Sequence, residues 1–420
     1  MEILCAFSEA LRSPDLLASV RLSPTAFLRT RHLTFPKLLT LMLSGMCGSI
    51  QQELDRFAAN LQGSTDLQRE VTAQAFSKAR KGFSAAVFRK LNTILLNLIE
   101  ERMRFPRWHG FRVVAADASK LQLFLKDATG RKVREAIAFM MYLPGTEMAL
   151  DFELYAPEVS ERQMLFEHLD SLRRDDLLVL DRGYPARWLV AVLLARGLHF
   201  CLRVDDTGFA EVARFRRSGD AEAVVTLAPP SAADAKDYGC PREATQVRLV
   251  RVITPTGRVH ILMTSLLNTI DYPAADFGDL YHARWRIEEA FKRIKHRLAL
   301  EHLTGISWLA AQQDFGAKIL GDNLHALSVY CAAQDPAATP PKARKPETAT
   351  RRYQPNRAYA FAAIKSRMQR WLLSVPATLD DIGKLFTELM RNLIAFVPGA
   401  SKRRNMGRKP HKHMAYKACA

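Results

Sequence analysis

Between residues 111 and 204 the chain runs through three strand-like segments, a helix pattern, a fully apolar strand, a second helix pattern and a last strand. This order constrains the fold more than any other feature. "FRVVAADASKLQL", "VREAIAFMMYLP" and "MALDFELYAP" are the first three, with a "PGTE" turn (Pro144–Glu147) between the second and third. "EVSERQMLFEHLDSLRR" is helical, and "DDLLVLDRGY" begins as a strand of the buried type. "PARWLVAVLLARG" carries Pro185 near its first turn and Gly197 past its end, as helices prefer. "LHFCLRV" closes the series. A meander followed by strand–helix–strand units predicts a mixed five-stranded sheet covered by helices.

The flanks differ. Residues 1–105 show helical periodicity throughout, with breaks near Ser44–Gly48 and Gly82. Its basic turn, Lys78, Arg80 and Lys81, suits either docking on DNA or an ordinary helical cap. Residues 205–264 turn into short strands and Pro- and Ala-rich loops, a β-rich insertion. Residues 265–334 return to helices, and 335–420 form a helical C-terminal region with a basic linker and a tail, "SKRRNMGRKPHKHMAYK", that has no acid.

Charge narrows the partners. Lys and Arg number 61 against 43 Asp and Glu, a formal charge of +18. Such an excess suits a polyanion, nucleic acid first and an anionic membrane surface second. The six cysteines are scattered without a CxxC pair, and the eleven histidines show no ligand spacing, so neither a disulfide framework nor a zinc site is expected. No signal peptide or membrane-spanning run is evident, and the expectation is a soluble, cytoplasmic, nucleoid-associated protein without a membrane partner.

Two acids, Asp117 and Asp181, end apolar segments of the sheet pattern. A lone Asp at a strand end is ordinarily a turn residue or helix cap. A third candidate lies in "DLYHARWRIEEAFKRIKHRL" (Asp279–Leu298), read as one helix. Offsets of four and seven residues put Tyr281, Arg284, Glu288 and Lys295 on one stripe, with Lys292 close by and Glu289 turned about 100° away. Ile287, Phe291, Ile294 and Leu298 form the flanking apolar stripe. An i,i+4 pair worth about 0.2–0.5 kcal/mol accounts for Arg284–Glu288 alone, but not for the tyrosine and lysine that continue the face. Trp285 is expected in the core; Trp308 could pack or stack on a base.

The pattern Tyr281-x2-Arg284-x3-Glu288-x6-Lys295 resembles the YREK signature of insertion-sequence transposases of the IS-four group. "VVAADASKLQL" and "LLVLDRGY" resemble the segments that carry that family's first and second Asp, and "SER" (Ser160–Arg162) also fits. Ala118-Ser119 stands where a glycine-threonine pair is common. The resemblance covers roughly residues 30–330. It implies an RNase H-like core and a DDE transposase with Asp117, Asp181 and Glu288 as catalytic metal ligands for Mg²⁺, with Mn²⁺ as a substitute. Tyr281, Arg284, Lys295, Lys292 and Arg203 would contact DNA phosphates. The implied partners are double-stranded DNA, as terminal inverted repeats and target, and a second copy in a synaptic dimer. A metal-dependent nuclease on the same core and a catalytically silent DNA-binding relative are the alternatives. A two-carboxylate glycosidase would need neither the basic helix residues nor so basic a chain.

Overall fold

The computed structural model describes residues 1–29, 31–126, 129–254, 257–338 and 352–396. The basic tail and most of the basic linker therefore lie outside the described residues. The chain divides into two compact units: Met1–Arg102, Leu123–Arg134 and Ile294–Ala420 in one, Met103–Gln122 and Glu135–Arg293 in the other.

The first unit begins with six helices: α1 (Glu2–Arg12), α2 (Pro14–Val20), α3 (Phe35–Leu43), α4 (Ile50–Gln62), α5 (Ala73–Ala79) and α6 (Ala86–Arg102). Thr34 caps α3 by accepting from the Lys37 amide, and Pro36 fills its first turn. Apolar faces are buried throughout, including Leu38, Leu39, Phe88 and Leu91. Arg80 corrects the expectation of an exposed basic turn. It is buried, donates to the Gln313 amide oxygen at 2.9 Å and the Ala310 carbonyl at 2.8 Å, and pairs with Asp314 at 2.8 Å. Lys78 and Lys81 are exposed. A guanidinium can be buried where its donors are satisfied; the periodicity around Gly82 does not reveal such distant partners.

The second unit is built on a sheet. In chain order its elements are β1 (Arg112–Lys126), β2 (Lys132–Leu143), β3 (Met148–Tyr155), α7 (Glu161–Glu167), β4 (Asp176–Leu180), α8 (Arg187–Ala195) and β5 (His199–Val204). Then come α9 (Ala210–Ser218), β6 (Glu222–Leu227), α10 (Ala232–Asp237), β7 (Thr245–Ile253), β8 (Val259–Thr264) and α11 (Phe277–Ala283). α12 (Trp285–Arg297) follows, and its last residues cluster with the first unit. That unit is completed by α13 (Trp308–Gln334), β9 (Arg352–Pro355), α14 (Arg357–Leu373), α15 (Leu379–Arg391) and β10 (Leu393–Phe396). Gly321 of α13 lies so close to α3 that a Cβ there would stand 2.5 Å from the Leu43 carbonyl oxygen, so only glycine permits that approach.

The sheet order is β3-β2-β1-β4-β5-β8-β7-β6. The five expected strands occupy one side as β3-β2-β1-β4-β5, with β2 and β3 antiparallel and β1, β4 and β5 parallel, in keeping with a mixed RNase H-like sheet. The sheet does not stop at five. The insertion strands β6–β8 join it through an antiparallel β5–β8 pairing and extend it to eight. Strand patterns report a preference for extended backbone, whereas the edge they pair with is a tertiary choice. α8 packs on β5, α9 on β6 and α11 on β7. Phe277, Leu280 and Tyr281, spaced three and four apart, bury one face of α11 against Leu177, Val179, Cys201, Val250 and Leu262. Leu178 and Leu180, by the two-residue alternation of a strand, serve the opposite face.

A candidate carboxylate site at the β1–β4 edge

The parallel register of β1 and β4 brings the two acids together. Arg112 pairs with Asp176, Val113 with Leu177, Val114 with Leu178 and Ala115 with Val179. Continued two positions, that register carries Asp117 toward Asp181, which lies just past the end of β4, and the charges of the two acids act on each other. Asp117 does not end its strand, as the apolar run suggests. It is the sixth residue of a 15-residue β1, which continues because Leu121, Leu123 and Leu125 alternate inward past the polar Ala118–Lys120 stretch. β4, by contrast, ends at Leu180, and Asp181 opens the following turn.

That turn is tightly built. The Gly183 amide donates to Asp181 Oδ1 at 2.8 Å, and Arg162 Nε donates to the Gly183 carbonyl at 3.0 Å. A Cβ on Gly183 would meet Asp181 Oδ1 at 3.2 Å and Glu161 Oε2 at 3.5 Å, so the two carboxylates flank one point. Tyr184 is fully buried, and its hydroxyl has no hydrogen-bond partner.

The electrostatics follow from that crowding. Burial pushes the Asp117 pKa up to about 7; Arg284 and a 2.9 Å bond from the Ala118 amide oppose the shift, while Asp181 and Glu161 add to it. Loss of solvent around its carboxylate, and then Asp181, raise Glu161. Burial holds the Tyr184 phenol well above its ordinary value, and the charges of Glu161, Asp117 and Asp181 push the same way. Among the described residues, none of Asp117, Asp181 and Glu161 has a basic side chain bonded to it.

The expected single helix at Asp279–Leu298 is two, α11 and α12, joined at Arg284. Arg284 keeps helical dihedrals but its amide bonds to Tyr281 O, and the Ile287 amide bonds to Arg284 O, tightening one turn. The stripe survives the break. Tyr281 and Arg284 are each 6% exposed, and the guanidinium lies over the Tyr281 ring at 5.6 Å. Arg284 Nη2 donates to Glu288 Oε1 at 2.9 Å. Burial raises the Tyr281 phenol against the pull of Arg284 and of Arg203, whose guanidinium approaches the hydroxyl without closing a well-formed hydrogen bond. Arg203, at the end of β5, is thus close to Tyr281.

Glu288 and Glu289 are not equivalent. The Glu288 side chain is 17% exposed and held by Arg284; that of Glu289 is 61% exposed and meets Arg286 at 3.5 Å. Lys292 is exposed and Lys295, in the last turn of α12, is half-buried. Trp285 is 41% exposed, which corrects its expected place in the core. The apolar stripe of Ile287, Ala290, Phe291 and Ile294 fills the buried face, and Trp285 falls outside it. Trp308 is half-buried.

Glu161 and Tyr184 lie within the SER and LLVLDRGY segments but are not among the expected site residues. The available signals were weak: an acid just after an N-capping Ser160, and a tyrosine shortly after the Asp181 turn. Among the described residues no group of three or more His, Cys, Asp or Glu side chains stands in a metal-ligating arrangement. The donors nevertheless suit a hard divalent cation. They are carboxylate oxygens, they repel one another, and a cation would remove the repulsion.

Residues 108–322, just over half of the chain, match the family described as "Transposase DDE domain". The transposase InsG for insertion sequence element IS4 of Escherichia coli K12 is 24% identical over 300 residues, covering 67% of this chain and 66% of its own. The putative transposase InsL for insertion sequence element IS186A, from the same strain, is 27% identical over 199 residues, 39% of this chain and 53% of its own. The chain thus spans somewhat under two-thirds and about half of these relatives. The cryo-EM structure of the piggyBac transposase synaptic complex with hairpin DNA aligns over 96% of this chain and 84% of its own, at 11% identity and TM-score 0.43.

Proposed function

The chain belongs to the transposase DDE domain family, and from that membership we propose that it cuts and joins DNA strands at the ends of an insertion sequence. The observation that carries this reading is the convergence of Asp117 on β1 and Asp181 just past the end of β4, close enough for their charges to act on each other, with Arg284, which bonds Glu288, acting on Asp117 as well. Two carboxylates without basic partners are costly to hold together at a solvent edge unless a cation joins them.

Asp117, Asp181 and Glu288 would hold Mg²⁺, or Mn²⁺ in its place. Bound there, such ions supply Lewis-acid stabilisation of the attacking and leaving oxygens in phosphoryl transfer. The protein's own share is positioning. Arg284, buried and bonded to Glu288, fixes that carboxylate and keeps positive charge beside the scissile phosphate. The Tyr281 hydroxyl is buried, with only the donor Arg203 approaching it, so its own proton is available to a phosphate oxygen. Arg203, Lys292 and Lys295 would neutralise neighbouring phosphates. We assign recognition of the terminal inverted repeats and target DNA to the helical regions 1–105 and 335–420, including the basic tail. Joining two ends requires a synaptic dimer. No helix among the described residues is long and apolar enough to cross a membrane.

Purified protein with Mg²⁺ and DNA carrying the element's terminal repeats tests the reading. Nicked and joined products are expected, lost in Glu288→Gln and retained in Glu289→Gln. Cleavage without joining would favour a nuclease on the same core. Binding should weaken steeply with salt, by roughly 10³–10⁵ between about 50 and 200 mM if about 6–10 phosphates are contacted. A flat response would remove DNA as the partner.

A further inference from the structure

Glu161 has no place in the three-acid pattern, yet it sits in the same turn. It is the first residue of α7, which Ser160 starts by accepting from the Gln163 amide at 3.2 Å. Its Oε2 and Asp181 Oδ1 lie 3.5 and 3.2 Å from the position a Gly183 Cβ would take. Its neighbour Arg162 turns away to the Gly183 carbonyl, locking α7 to the Asp181 turn without neutralising either acid. No hydrogen bond or ion pair engages the Glu161 carboxylate among the described residues. In a chain with a formal charge of +18, a carboxylate left unpaired beside another is a departure that needs a cause.

A second observation points to a ligand. Tyr184, one residue beyond Gly183, is fully buried and its hydroxyl has no partner. It lies within the electrostatic reach of Glu161, Asp117 and Asp181. A buried hydroxyl is ordinarily bonded, and one left open beside three carboxylates is suited to donate to the oxygens that gather around a cation.

The charge balance supports the same conclusion. Glu288 already shares its charge with Arg284 at 2.9 Å. Arg284 acts on Asp117 as well, so the three expected ligands together bring little net charge against divalent cations. We propose that Glu161 is a fourth carboxylate of the cation site, reaching it from the opposite side of the Asp181 turn, with Tyr184 as the hydrogen-bond donor beneath it. The proposal rests on the reading of Asp117 and Asp181 as cation ligands.

The test is Mn²⁺ binding to the full chain without DNA, followed by electron paramagnetic resonance or calorimetry. Glu161→Gln should weaken binding about ten-fold or more, with Glu161→Asp intermediate and Glu289→Gln unchanged. Glu161 lies at the surface with its carboxylate partly shielded from solvent, and circular dichroism checks that these substitutions leave the fold intact. If Glu161→Gln binds Mn²⁺ like the parent while Asp117→Asn and Asp181→Asn lose it, the fourth-ligand proposal is overturned and the cation site stands. If neither aspartate variant weakens binding, the cation site itself falls, and Glu161 with it.

Discussion

The two ends of the β1–β4 pair are five residues apart and are built on opposite logic. At the start, Arg112 faces Asp176, and its guanidinium grips both carboxylate oxygens, at 2.6 and 2.8 Å, with both side chains almost fully buried. At the far end acid meets acid, Asp117 near Asp181 with Glu161 close to the Asp181 turn, and among the described residues no basic side chain is bonded to any of them. One end is satisfied within the protein. The other has backbone amide donors but no bonded basic side chain among the described residues, and so is open to a cation the protein does not supply. A fold that places an acid–base pair at one position of a register can evidently do so at another, and its absence at Asp117–Asp181 is informative for that reason.

The sharpest way to break this contrast is at the satisfied end. Arg112→Ala should strip Asp176 of its partner in a buried setting and cost about 3–5 kcal/mol in urea or thermal unfolding. A loss under about 1 kcal/mol would mean that the pair contributes no more than a surface bridge. The mirror experiment is Asp181→Asn. It should lower strand cleavage by roughly 10²–10³-fold or more while unfolding at the same temperature as the parent or higher, because a repulsive charge is gone. If stability falls as far as in Arg112→Ala, the two ends do not differ in kind.

A third prediction concerns pH. Asp117 has a folded pKa of about 7, above the ordinary carboxylate value, so the folded state holds this proton more tightly than the unfolded state does. Its contribution to metal-free stability is therefore full at low pH and declines as pH rises from about 4 to about 7, by a few kcal/mol at most. Asp117→Asn should flatten that part of the stability profile, and saturating Mg²⁺ should flatten it as well; an unchanged profile in the variant would show that Asp117 is not under this strain. The smallest effect is expected at Glu289. Its exposed 3.5 Å contact with Arg286 should be worth well under about 1 kcal/mol, and Glu289→Gln should leave stability and cleavage within error of the parent.

Part of this site is legible in the chain and part is not. Asp117 and Asp181 stand out because apolar strand runs terminate or break at them, and Glu288 is separable from Glu289 by helical phase alone. The burial of Arg284 and the exposure of Trp285 were not readable, because a stripe gives the angular order of side chains but not how deeply each is covered. Arg80 makes the same point, its buried partners lying more than 200 residues away in sequence. Glu161 was passed over because an acid in the first turn of a helix is common for local reasons, and only the approach of Gly183 to both acids distinguishes it.

What the sequence by itself determined is therefore the periodic and local part: which segments are strands and helices, which acids interrupt them, and which face of α12 is polar. Those follow from side-chain alternation and 3.6-residue phase, which neighbouring residues set. The tertiary structure decided the rest. It set the β1–β4 register that brings Asp117 toward Asp181, joined the insertion to the sheet at β5, and, among the described residues, left the buried Tyr184 hydroxyl without a hydrogen-bond partner. Each of these depends on which distant groups meet, and pairing between distant groups is settled by packing and by the satisfaction of buried polar atoms, neither of which a local pattern contains.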